Sequence, residues 1–134
     1  MYKFLEHEAD IGISVSSDNL NKMFEEGATA LFEIMTEIKN IKPKKSISLT
    51  CSADDTAALF IEWLNALLAQ KDIENMFFSK FEVTIKDNKL KAIAYGEEIN
   101  IKKHKPKIEV KAATYSGLKF WKNGKFNIQC VVDV

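Results

Sequence analysis

Cysteine is scarce in this chain. Its two cysteines, Cys51 and Cys130, stand far apart and show no CxxC spacing. That argues against a disulfide framework or a zinc pair; they read as small buried hydrophobes in a reducing cytoplasm. No apolar run approaches the ~20 residues of a membrane helix, and the opening Met-Tyr-Lys-Phe-Leu-Glu-His-Glu has no secretory h-region. A cytoplasmic protein with no membrane partner is therefore expected. An excess of either charge is also missing, since Lys+Arg and Asp+Glu both number 19. A free-standing nucleic-acid binder normally carries a basic excess, so a DNA partner is not expected. Familiar catalytic signatures are absent as well: no Gly-rich phosphate loop, no HExxH and no GxSxG elbow. His7 and His104 stand in no local triad signature and read equally as structural histidines or catalysts.

What is present suits one domain spanning residues 1–134. Hydrophobic residues make up 46% and charged residues 28% of the chain, ordinary values for a globular protein with a real core. Residues 2–5 and 11–16 read as short strands. Capping residues at 16–19 introduce an amphipathic helix from Leu20 through Leu31 and Ile34 to Ile38, which stops before Pro43. Residues 46–51 alternate as a strand. Ser52 then reads as the cap of a second helix, with Asp54 and Asp55 in its first turn. That carboxylate pair is read as capping, because adjacent helical residues point about 100° apart. The second helix, 57–69, is apolar almost all round apart from Asp55, Glu62 and Asn65, so it should be covered on most sides.

The remainder is β-rich. Strands at 81–85 and 90–95 flank a turn at 86–89, and Gly96-Glu97 should break the second of them. Residues 102–107 form a basic loop, either a solvated connection or a patch for an acidic surface or an RNA backbone. In 108–114 the alternation turns Ile108, Val110, Ala112 and Thr114 inward, opposite Glu109, Lys111 and Ala113. Asn123-Gly124 predicts a hairpin into a last strand, 126–134, with Asp133 on the opposite face from Ile128, Cys130 and Val132. The fold class is α+β, with two α-helices packed on a largely antiparallel (mixed) β-sheet system whose strand order the pattern does not give.

The chemistry centres on His7-Glu8-Ala9-Asp10-Ile11-Gly12. Alone, this hexapeptide reads as a solvated loop before a strand. Asp133 and the Val134 carboxylate change that if the last strand runs beside the Asp10 strand. The oxygens of Asp10, Asp133 and Val134 would then converge, and a hard cation would relieve their repulsion. Three such groups are too few for a complete calcium or magnesium shell, so the site would be open. Lys111 is its natural cationic neighbour, and Gly12 would keep side chains from crowding the surface beside Asp10.

The opening hexapeptide resembles the HxADxG motif of the archease family. The likeness continues through Asp54-Asp55, Trp63-Leu64-Asn65, Gly96-Glu97, His104, Lys111-Ala112-Ala113-Thr114-Tyr115 and Val132-Asp133-Val134, covering essentially the whole chain. Two positions depart from the family pattern: Ser116 replaces a usual histidine, and Ala66 a usual acidic residue. The resemblance implies an accessory protein, without turnover of its own, for the tRNA-splicing RNA ligase that joins 3′-phosphate or 2′,3′-cyclic phosphate ends to 5′-hydroxyl ends. That ligase uses manganese and GTP and passes through a guanylylated histidine. The accessory protein is expected to promote guanylylation and multiple turnover and to relax nucleotide choice, meeting tRNA only through the ligase. The resemblance also implies metal binding at Asp10, Asp133 and Val134, with calcium the expected ion, and an activating role for Lys111. Two other functions compete: a stand-alone metal-dependent phosphoesterase using the same carboxylates, and a metal-independent, chaperone-like module for RNA-modifying proteins.

Overall fold

The computed structural model describes residues 1–6 and 10–134. The expectations for His7, Glu8 and Ala9 lie outside the described residues. The chain runs β1 (Tyr2–Glu6), β2 (Asp10–Ser17), α1 (Leu20–Met35), β3 (Lys45–Ser52), α2 (Thr56–Glu74), β4 (Met76–Lys86), β5 (Lys89–Glu98), α3 (Ile101–His104), β6 (Ala112–Lys122) and β7 (Phe126–Asp133). It is an α+β fold with two sheets, ordered β1-β2-β7-β6 and β3-β5-β4, and every pairing described is antiparallel.

Helix α1 begins where the capping cluster lies, and Asn19 supplies the cap by accepting from the Lys22 amide at 3.1 Å. It ends at Met35, earlier than expected, and Ile38 falls into a separate 3₁₀ turn, Ile38–Asn40. The cause is tertiary. Thr36 is extended, and its buried hydroxyl donates to the His104 carbonyl, which draws the chain off the helix axis well before Pro43.

Helix α2 is capped by Asp55, whose carboxylate accepts from the Ala58 amide at 2.8 Å. Ser52 is instead the last residue of β3, and Asp55 is the cap itself, one step before the first turn. Capping thus accounts for Asp55. The helix also runs beyond Ala69 to Glu74. Its polar last turn looks like a terminus in sequence, but the helix stops only at Asn75 in the left-handed region, φ 53°. It packs against β3, β4, β5, β6 and α1, which explains its apolar circumference.

The core is aromatic. Phe24 meets Phe60 edge-on at 5.2 Å, Trp63 meets Phe81 at 6.1 Å, and the buried Trp63 indole donates to the Phe24 carbonyl at 3.0 Å. Helix side chains also cover sheet edges. Asn21 and Glu25 accept from the β4 amides of Ile85 and Val83, which occupies donors that would otherwise recruit another strand.

Strand β4 starts at Met76, before the expected Phe81, because Met76, Phe77 and Phe78 are buried in succession and mask the alternation. Strand β5 likewise continues through Gly96-Glu97. A bulge between Phe78 and Lys80 opposes Gly96, and a Cβ there would fall on the Phe77 carbonyl. The glycine therefore permits a close strand approach. Gly96→Ala should lower stability by about 3 kcal/mol, read as a lower denaturant midpoint at unchanged slope. The turn at 86–89 forms as expected, with both central residues, Asp87 and Asn88, at positive φ.

Residues 108–111 are not strand; β6 starts at Ala112. Ile108 is 45% exposed, whereas Val110 and Ala113 are buried. The expected inward phase therefore fails at Ile108 and again at Ala113, and holds only at Val110. Lys105 turns left-handed after α3, and the Lys107 amide is tied to the Met35 carbonyl at 2.8 Å. The segment is thus shaped by the end of α1 and keeps no two-residue period.

Candidate metal and partner site

The last strand lies in the middle of its sheet, between β2 and β6. Its register sets Asp133 directly opposite Asp10 on β2 and opposite Ala112 on β6. Residues facing each other across an antiparallel pair project to one side, with Cβ atoms about 4.5–5.5 Å apart. The next row, Ile11, Val132 and Ala113, turns the other way, and its Val132 is fully buried. Asp10 and Asp133 therefore share the side away from the core, and both are half-buried.

Neither aspartate joins an ion pair among the described residues. Like charges directly opposite each other in such a row disfavour the pairing. The donor set is oxygen only, which fits a hard divalent cation. Among the described residues no cluster of three or more His, Cys, Asp or Glu side chains is placed to hold a metal. The two aspartates thus need further oxygens, for which half-buried Val134 is the neighbour in sequence.

Lys111 reaches this row through its backbone, its amide donating to the Asp133 carbonyl at 2.8 Å while the residue is exposed. Asn65 of α2 fixes the adjoining strand. Its side-chain oxygen accepts from the Ala113 amide at 2.8 Å and its nitrogen donates to the Ala113 carbonyl at 3.1 Å. In sequence Asn65 stands in a polar strip and in the Trp63-Leu64-Asn65 stretch of the family resemblance; its twin bond to a distant backbone carries no local signature. Gly12 also has a packing reason that the sequence does not show. A Cβ there would stand 2.8 Å from the Leu5 Cβ of β1, so the glycine admits the neighbouring strand. Ser116 lies exposed in a bulge of β6 between Thr114 and Lys119.

Beside Asp10 opens a cleft of about 510 Å³, lined by Phe4, Leu5, Ile11, Glu33, Ile34, Lys107 and Ile108. Phe4 and Ile108 are each more than two-fifths exposed on its rim. One wall belongs to the segment 105–111, which a buried polar cluster anchors. Glu97 accepts from the Lys42 amide at 2.8 Å, from the His104 ring at 3.0 Å and from Lys103, 2.8 Å from each oxygen. Burial opposes ionisation, but the Lys103, Lys42 and His104 hydrogen bonds and the Lys103 charge outweigh it. They hold the Glu97 carboxyl at a pKa of about 2.

His104 is fully buried, and its Nδ1 accepts from the Asn100 amide at 2.9 Å. Nε2 therefore carries the proton donated to Glu97. His104 is a structural histidine. The basic loop is partly spent internally: Lys103 pairs with Glu97, and Lys107 lies 3.5 Å from Glu37 while donating to the Glu33 carbonyl, whereas Lys102 and Lys105 are exposed and enter no ion pair among the described residues. Both cysteines are free. Cys130 is buried, as expected, and burial pushes its thiol pKa up to about 12; Cys51 is only half-buried, and that partial burial with the Glu62 charge raises its thiol pKa. No described helix is long and apolar enough to cross a membrane.

Comparison with known proteins extends over the same span. The family model of the Archease protein family matches residues 2–134. The archease of Sulfurisphaera tokodaii is 39% identical over 136 residues, covering 99% of this chain and 98% of that one. The solution structure of Methanobacterium thermoautotrophicum protein 1598 superposes with a TM-score of 0.85 at 29% identity, covering 99% of this chain and 98% of the other. An archease crystal structure from Thermotoga maritima, described as a possible chaperone, shares the fold with a TM-score of 0.67 at 21% identity, over 100% and 98% of the two chains. With the family model matched along nearly its full length, the chain belongs to the archease family.

Proposed function

We propose that this protein is a non-catalytic activator of the GTP- and manganese-dependent 3′-phosphate RNA ligase of tRNA splicing. It promotes guanylylation of the ligase histidine and allows repeated turnover, and it meets tRNA through the ligase. The observation that supports this most is the pairing of Asp10 with Asp133 at the rim of a partly apolar cleft. Such a row suits a cation shared with a partner better than a self-contained active site, because too few ligands converge to complete a shell.

Asp10, Asp133 and an oxygen of Val134 would hold the divalent ion, expected to be calcium. That ion would supply positive charge toward a partner's phosphate-bearing centre. The chain's own residues do the positioning. Asn65 and the β7 ladder hold Ala113 and Asp133, the Lys111 amide fixes its carbonyl neighbour, and exposed Phe4 and Ile108 offer apolar contact. Mixing the protein with the ligase, GTP and manganese should speed covalent guanylylation and permit multiple turnover. Equal rates with and without it would sink the proposal, and phosphoester turnover by the protein alone would favour the stand-alone enzyme.

The exposed apolar cleft rim also suits a second reading, a chaperone-like module for RNA-modifying proteins acting without metal. It predicts partner stimulation unchanged by calcium addition or chelation.

A further inference from the structure

The chain is neutral overall, yet the fold does not spread its charge evenly. In the three-stranded sheet, β5 alternates exposed Lys89 and Lys91 and half-buried Ile93 and Tyr95 with buried Leu90, Ala92 and Ala94. The same outward rows continue on both neighbours. Ser52, Lys89 and Lys86 form one row, and Thr50, Lys91 and Thr84 the next. Ser48, Ile93 and Glu82 follow, then Ser46, Tyr95 and Lys80. Every β3 and β4 member of these rows is exposed. One face thus presents four lysines, four hydroxyl residues on β3, Thr84 and one carboxylate, Glu82. Asp87 stands in the turn at its end.

These lysines differ from Lys103 and Lys107 of the basic loop, which are held in ion pairs. Lys86, Lys89 and Lys91 enter no ion pair among the described residues, and Lys80 reaches Glu82 only at 4.0 Å. Lys80 also lies 5.1 Å from the centre of the Tyr95 ring, whose hydroxyl donates to Glu82 at 3.1 Å. Shallow grooves of about 260 and 310 Å³ run along the Thr50–Lys91 rows.

We propose that, beyond the contact with tRNA made through the ligase, this face itself binds the sugar–phosphate backbone of a single-stranded nucleic acid without sequence preference. The lysines are placed for phosphates and the serine and threonine hydroxyls for phosphate oxygens, while Tyr95 and Ile93 give the bases a surface to lie on. Lys89 and Lys91 stand about 6.8 Å apart along one strand, an extended spacing that suits a repeating backbone charge better than a single anion. An acidic protein surface would use the lysines but leave the hydroxyl rows without a matching function.

Fluorescence anisotropy with a labelled oligouridine RNA tests this on the whole protein. The logarithm of affinity should fall against log salt with a slope reaching about −3 for four lysine–phosphate contacts. Lys89→Glu with Lys91→Glu should weaken binding about tenfold or more and reduce the slope by at least about 1.4. Lys102→Glu with Lys105→Glu, in the other basic segment, should leave both unchanged. If the charge reversals lower the melting temperature, Lys89→Gln with Lys91→Gln is compared instead and should still reduce the slope. Binding that survives the sheet substitutions, or fails only with the loop pair, overturns the assignment. So does absence of binding at low salt, tighter binding of duplex RNA, or equal competition by polyglutamate.

Discussion

Asp10→Ala should abolish stimulation of ligase guanylylation while leaving the fold in place. The two halves of that outcome have separate physical origins. Asp10 heads β2 and is only half-buried, so truncating it opens no core cavity. It also removes one of two carboxylates that face each other across the ladder. With a chelator present, the variant should therefore match or exceed the parent in stability, by up to about 1 kcal/mol. Calcium should reverse the order. A cation at 100 times its dissociation constant adds about 2.7 kcal/mol to the parent and nothing to a variant that cannot bind it. Paired thermal melts in chelator and in calcium would display this crossing. Full stimulation by Asp10→Ala, or an identical calcium response, would refute the assignment of this residue. Asp133→Ala should behave alike, since the two residues share one register position.

The second large effect concerns Glu97. Its folded pKa of about 2 lies below the ordinary 4.5. Its contribution is thus fully present above pH 4.5 and is lost as pH falls toward 2. That difference corresponds to about 3 kcal/mol. Glu97→Ala should cost about 4 kcal/mol near neutral pH, because it strands the buried His104 Nε2–H and the Lys42 amide and leaves Lys103 without its carboxylate. The melting temperature should drop on the order of 10 °C or more. Stability should also lose the part of its acid dependence between pH 4.5 and 2, which urea titrations at several pH values would reveal. The loss should spread along the chain. His104 holds Thr36 through its carbonyl, and the following segment carries the amides of Lys107 and Lys111. Both amides should exchange faster with solvent in the variant. An unaltered acid profile would show that Glu97 is not the group responsible.

These outcomes rest on information of two kinds. Local pattern was enough wherever a residue's environment is set by its own neighbours in the chain. Helix α1 shows its apolar spacing, Asn19 caps it from within the capping cluster, and the hairpins at 86–89 and 123–125 carry their turn residues openly, although the cap of α2 falls on Asp55 and not on Ser52. The alternation of β7 likewise places Ile128, Cys130 and Val132 inside. Local pattern misled where a distant partner took over. Thr36 leaves its helix for a carbonyl 68 residues away. Ala113 turns inward, where the Asn65 amide holds its backbone, and Val110 is buried on a segment with no strand period. Phe77 and Phe78 hide a strand because a bulge breaks its two-residue rhythm.

The site divides along the same line. The sequence by itself determined the cast: Asp10 before an alternating strand, Asp133 on the outward phase of the last, Lys111 ahead of Ala112, and no soft ligand nearby. It also determined membership of the family, because the motif residues stand in order along the chain. Only the tertiary structure decided that β7 enters the sheet between β2 and β6, bringing Asp133 opposite Asp10 from 123 residues away. Strand pairing is chosen by which apolar faces bury together, a property of the assembled core that no stretch of β2 or β7 contains alone. For the same reason two lysines of the basic loop, Lys103 and Lys107, proved internally paired, while Lys86, Lys89 and Lys91 came together unpaired on a sheet face assembled from three separate segments.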